Sequence, residues 1–196
     1  LLVSKEANNK NPYNCMTENK FPCYIGEKDN VKAIIVGDSH ADALTTSLAS
    51  AYDLKTEGIV ALTKASCPFI LNIKVYEEEA CLEENIKRME FLKNHYANVP
   101  IFWVARTGVY IYGQLDPSRI KSIQDTQPLI YFTKQYSSVE PLLLDELEKN
   151  LNTTIKETAH NRPIYLVLPT PEMTFNVPRV ISKELLLANR NSKPYR

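Results

Sequence analysis

Several things are scarce in this sequence, and each shortage closes off a class of function. Charge of one sign is the first: Lys plus Arg is 23 and Asp plus Glu is 23, so no net field draws the chain to nucleic acid or to an anionic lipid surface. Long apolar runs are the second. The longest, at 31–36, 101–105 and 164–168, fall well short of the roughly 20 residues a bilayer-spanning helix needs. The first residues, Leu-Leu-Val-Ser-Lys-Glu, lack the basic start, apolar stretch and cleavage site of a signal peptide. Histidine is the third shortage, with only 3 in the chain. No internal repeat is visible.

The rest is ordinary globular composition, 44% hydrophobic and 23% charged over 196 residues, enough for one domain with a sizeable core. The 4 cysteines, Cys15, Cys23, Cys67 and Cys81, fall as two sequence-local pairs. Neither pair has Cys-x-x-Cys spacing and no histidine completes a zinc set. That ranks the disulfides Cys15–Cys23 and Cys67–Cys81 above a metal site or free thiols, and with them a place outside the cytoplasm. An exported domain without its own signal is expected to be part of a longer protein.

Residues 1–30 are polar and aperiodic and read as an extended lead-in pinned by Cys15–Cys23. Residues 31–36 form a near-continuous β-branched run suited to a strand buried on both faces. A helix is predicted over 41–52, with Ala43, Leu44, Ser47, Leu48 and Ala51 at helical spacing. A second strand follows over 58–62. A helix with an acidic first half is predicted over 77–96, its faces marked by Leu82, Ile86, Met89 and Leu92. A strand at 101–105, a helix at 141–158, a strand at 163–168 and a last helix at 179–189 complete the pattern. The stretch 113–138 carries weak signals and reads as a loop over the site. Alternating strands and helices predict a three-layer α/β/α sandwich around a parallel sheet.

In such sheets ligands sit beyond the carboxyl ends of the strands, where Gly37-Asp38-Ser39 falls. Gly37 suits a tight backbone turn, and Asp38 can fix the loop. A serine at a helix start can expose its hydroxyl while its own N–H faces a developing oxyanion. By itself Gly-Asp-Ser fits helix capping at least as well as catalysis. The wider sequence shifts that balance. Val-Lys-Ala-Ile-Ile-Val-Gly-Asp-Ser-His, residues 31–40, resembles the first block of the SGNH hydrolases, here of the kind fused behind membrane acyltransferase family 3 domains in bacterial surface-polysaccharide O-acetyltransferases. Gly37 to Ala41 matches their Gly-Asp-Ser-His-Ala, Ser66-Cys67-Pro68 their turn after the second strand, Cys81 the partner cysteine, Ala105-Arg106 the end of the next strand, and Pro169 to Glu172 their Pro-x-Pro-Glu.

The resemblance implies Ser39 as nucleophile, with Asp38, Ser66 and Arg106 in oxyanion or supporting roles. Ser66 stands where glycine is common, and Arg106 where the wider superfamily has a block ending in Asn. His40, Tyr110 and Tyr112 are candidate substrate contacts; no metal is expected. The serine needs a base. His40 points about 100° away from its neighbour Ser39, while His95 and His160 precede strands and so fall at the opposite, amino edge of the sheet. The family's Asp-x-x-His is absent from this sequence, so the expected domain, 31–196, is incomplete at its C-terminus.

The implied function is acetyl transfer through a serine acyl-enzyme onto a sugar hydroxyl of a cell-surface glycan such as O-antigen. A preceding integral-membrane acyltransferase domain would hand over acetyl groups drawn ultimately from acetyl-CoA. No cofactor is expected on this domain, which would sit in the periplasm tethered to the inner membrane. A secreted or periplasmic carbohydrate esterase, with water as acceptor, is the alternative; a non-catalytic glycan-binding fold is a third.

Overall fold

The computed structural model describes residues 11–16, 18–113, 127–168, 181, 183–185 and 187. Its main sheet has five strands, β1 (Cys23–Gly26), β2 (Val31–Gly37), β3 (Gly58–Thr63), β5 (Ile101–Val104) and β7 (Ile164–Val167), in the order β1-β3-β2-β5-β7. The helices are α1 (Ser39–Ala49), α2 (Cys81–Asn94), α3 (Thr107–Tyr112) and α4 (Pro141–Thr158), and a two-stranded sheet pairs β4 (Lys74–Val75) with β6 (Ile130–Tyr131).

β2 lies between β3 and β5, parallel to both, and is buried almost throughout, as its β-branched run requires. Successive side chains point to opposite faces. Ile34 and Val36 join Val60, Leu62, Ile101 and Trp103 beneath α2 and α4, against Met89, Leu92, Leu143 and Leu147. Ala33 and Ile35 face the other way, with Ile59 and Ala61 beneath α1. This is the three-layer α/β/α sandwich.

Four expectations need correction. The sheet is mixed: residues 23–26, inside the supposed lead-in, form β1 and pair antiparallel with β3. α1 buries Ala41, Asp42, Thr45 and Ala49 and leaves Ala43, Leu44 and Ser47 exposed, because small residues let it approach the sheet closely. α2 exposes Ile86 and buries Asn85 and Arg88; its inward stripe runs under loop carbonyls that need donors. The stretch read as loop holds β6, too short at two residues to leave a periodic signal.

The helix expected at 179–189 is helical at 181, 183–185 and 187; its other positions, and the turn at 169–172, lie outside the described residues. Among the described residues no helix is long and apolar enough to cross a membrane.

Candidate active site

The end of β2 must pass very close to β5. Gly37 has φ +150°, and a Cβ placed on it would sit 1.7 Å from the Val104 carbonyl oxygen. No other residue fits there. Asp38 follows, 1% exposed, with its carboxylate turned into the protein. One oxygen accepts from the His40 N–H at 2.8 Å and caps α1; the other accepts from the Arg106 N–H at 2.8 Å. Capping therefore belongs to Asp38, which also ties the β2–α1 loop to the β5–α3 loop. Ser39 is left exposed at the first position of α1.

Ser39 lines a cleft of about 640 Å³ with Asp38, His40, Ser66, Arg106 and Tyr110. The small sheet and its flanks supply another wall through Val75, Tyr76 and Leu129, held by the Tyr76 N–H donating to the Leu129 carbonyl at 2.9 Å. Ser66 is exposed, with φ +55°. This left-handed conformation explains why glycine would be at home at that turn. Among the described residues neither the Ser39 nor the Ser66 backbone N–H donates a hydrogen bond. Two open donors at one cleft, one of them at the positive end of α1, are what an oxyanion requires.

The other candidates fare unevenly. Arg106 lines the cleft, and its backbone N–H is engaged by Asp38, a supporting tie between the two loops. Tyr110 lines the cleft yet is only 7% exposed. Burial, with the charge and hydrogen bond of Asp38, pushes its hydroxyl far above the usual tyrosine range. Tyr112 is exposed and lies outside the cleft lining, because residues two apart on a helix point to roughly opposite sides. The His40 ring lines the cleft with Nδ1 3.7 Å from Asp38 Oδ1, beyond hydrogen-bond reach. His95 stacks on Phe91 at 4.6 Å and contacts the Phe91 carbonyl at the end of α2. His160 lines a separate cavity with Arg162 at the amino edge.

Both cysteine pairs are disulfides, Cys15–Cys23 with S–S 2.06 Å and Cys67–Cys81 with S–S 2.07 Å. The second anchors the Ser66 turn to the start of α2. Asn85 and Arg88, which sequence reasoning passed over, lie directly beneath that turn. Asn85 Nδ2 donates to the Pro68 and Ile70 carbonyls at 2.9 and 3.0 Å. Arg88 is fully buried and bonds the Cys67 and Gly37 carbonyls, each at 3.2 Å. A signal was present: positions 81, 85, 88 and 92 form one helical stripe, so a Cys81 facing Cys67 turns Asn85 and Arg88 the same way.

An exposed serine at the carboxyl edge of a three-layer sheet, in a cleft it shares with a second open N–H group, is the arrangement of an SGNH-type α/β domain. The family model of the SGNH domain fused to AT3 domains matches residues 9–195, and the chain belongs to that family, one of serine hydrolases and acyltransferases. No curated protein and no solved structure matches the chain.

Proposed function

We propose that this domain is the acyl-transferring part of an O-acetyltransferase, with Ser39 as nucleophile. The observation that carries the reading is the exposed Ser39 at the start of α1, in one cleft with the open N–H groups of Ser39 and Ser66. Ser39 Oγ attacks an acetyl carbonyl. The tetrahedral oxyanion forms against the two N–H groups and collapses to an acetyl-serine ester, and the donor's leaving group departs with the proton. A sugar hydroxyl then attacks the ester, its proton passes to the base, and Ser39 Oγ leaves and is reprotonated. His95 and His160 are at the wrong edge for this; the base that the family resemblance implies is a histidine of the Asp-x-x-His kind.

Two disulfides favour an oxidising compartment, here the periplasm, with an AT3 domain of the same polypeptide as membrane tether and acetyl source. A cell-surface glycan is the acceptor. The test uses the natural full-length protein with an activated acetyl ester and the cell's own glycan, reading both acetate release and glycan acetylation by mass spectrometry. Acetylated glycan that disappears in Ser39→Ala is the expected result. Acetate release alone, equally Ser39-dependent, would make the protein an esterase. Glycan binding with no turnover would make it a recognition module, and full activity in Ser39→Ala would end the assignment.

A further inference from the structure

Arg88 is an expensive residue to bury. It is fully enclosed, and removing a guanidinium from water costs several kcal/mol in general. Burial lowers its pKa to about 10, with the charges of Glu84 and Asp38 pulling the other way, so it stays protonated at neutral pH. An apolar side chain of similar length would fill the same space without that desolvation penalty. Fold stability alone is thus a poor reason for a cation here.

Its hydrogen bonds point elsewhere. The Gly37 carbonyl accepts from Arg88 Nη2 at 3.2 Å and from the Lys64 N–H at 3.1 Å. The Lys64 carbonyl accepts from the Cys67 N–H at 3.3 Å, and the Cys67 carbonyl accepts from Arg88 Nη1 at 3.2 Å. These four contacts close a ring that begins two residues before Ser39 and passes one residue beyond Ser66. Asn85 Oδ1 accepts from the same Nη1 at 3.0 Å and fixes the guanidinium plane. The two loops that carry the open N–H groups are tied to each other through this one side chain.

We propose that Arg88 is a positioning residue of this site: its buried guanidinium holds the Gly37 and Cys67 carbonyls at fixed separation, sets the Ser39 and Ser66 N–H groups as an oxyanion pair, and places a positive charge behind them. The inference rests on the acyl-transfer reading and names the residue that makes its oxyanion hole work. Because Arg88 acts through backbone and not on substrate, its loss lowers the rate of the chemical step and leaves substrate binding intact. A lysine keeps the charge but lacks the fork that spans two carbonyls.

The experiment compares wild type, Arg88→Lys, Arg88→Met and Ser39→Ala in the full-length protein, using para-nitrophenyl acetate for turnover and a fluorophosphonate that modifies the active serine. Expected is a fall in kcat of about tenfold for Arg88→Lys and about 100-fold for Arg88→Met, with KM within about twofold and phosphonylation slowed in the same order. A packing role alone would lower the melting temperature and leave kcat per folded molecule unchanged, and that result overturns the proposal. If neither variant folds, wild type labelled with nitrogen-15 on arginine decides. The Arg88 guanidinium signal must shift when the phosphonate occupies Ser39, and a fixed signal refutes the proposal. Turnover that survives Ser39→Ala would sink the acyl-transfer reading itself; Ser39-dependent turnover with wild-type kcat in both Arg88 variants would sink only this inference.

Discussion

Replacing Gly37 by alanine tests the geometry at the centre of the site. The added Cβ would lie 1.7 Å from the Val104 carbonyl oxygen, whereas an ordinary contact needs roughly 3.5 Å. Gly37 and Val104 are partners in the β2–β5 ladder, so relief requires the two central strands to part at their carboxyl ends. That costs about 1 kcal/mol for each ladder hydrogen bond weakened, and about 1–3 kcal/mol for overpacking. Holding alanine at φ +150° adds about 1–3 kcal/mol. The lower chain entropy of alanine returns about 0.5–1 kcal/mol. The net expectation is a loss of about 3–5 kcal/mol, or a fall in Tm on the order of 10 °C for a domain of this size. Gly108 is the control, because a Cβ there meets nothing within 4 Å; Gly108→Ala should leave Tm unchanged or slightly raised. Thermal unfolding followed by circular dichroism reads both. A Gly37→Ala protein melting within about 2 °C of wild type would refute the close approach of β2 to β5, and with it the placement of Ser39.

Removing the Cys67–Cys81 bridge by a double alanine substitution should lower stability by about 3 kcal/mol for a loop of this length. It should also reduce turnover, since Ser66 directly precedes Cys67; non-reducing peptide mapping that finds four free thiols in exported protein would contradict both bridges. His95→Ala and His160→Ala should each leave kcat within about twofold of wild type, as neither ring is at the Ser39 edge. Loss of activity in either, with the fold intact, would place the general base within this chain and reverse the assigned polarity of the site.

How much of this was legible in the sequence follows from the range of the forces involved. The β-branched run at 31–36 reads as a doubly buried strand because backbone period and hydrophobic burial act over a few residues. The helix at 141–158 is equally plain, since proline suits its first position and leucines repeat along one side. Gly37-Asp38-Ser39 announces a strand-to-helix turn for the same local reason. Tertiary structure alone decided which of Asp38 and Ser39 caps the helix, because the answer depends on the Arg106 N–H, 68 residues away. It decided that Gly37 is demanded by a neighbouring strand as well as by its own backbone conformation. It turned α1 so that Ala41 and Thr45 face the sheet, and sent Tyr110 into the cleft and Tyr112 out of it. It also buried Arg88, whose charge would mark it from sequence as a surface residue. Only the meeting of the β2 and β3 ends with α2 brings together the carbonyls that make an interior arginine tolerable.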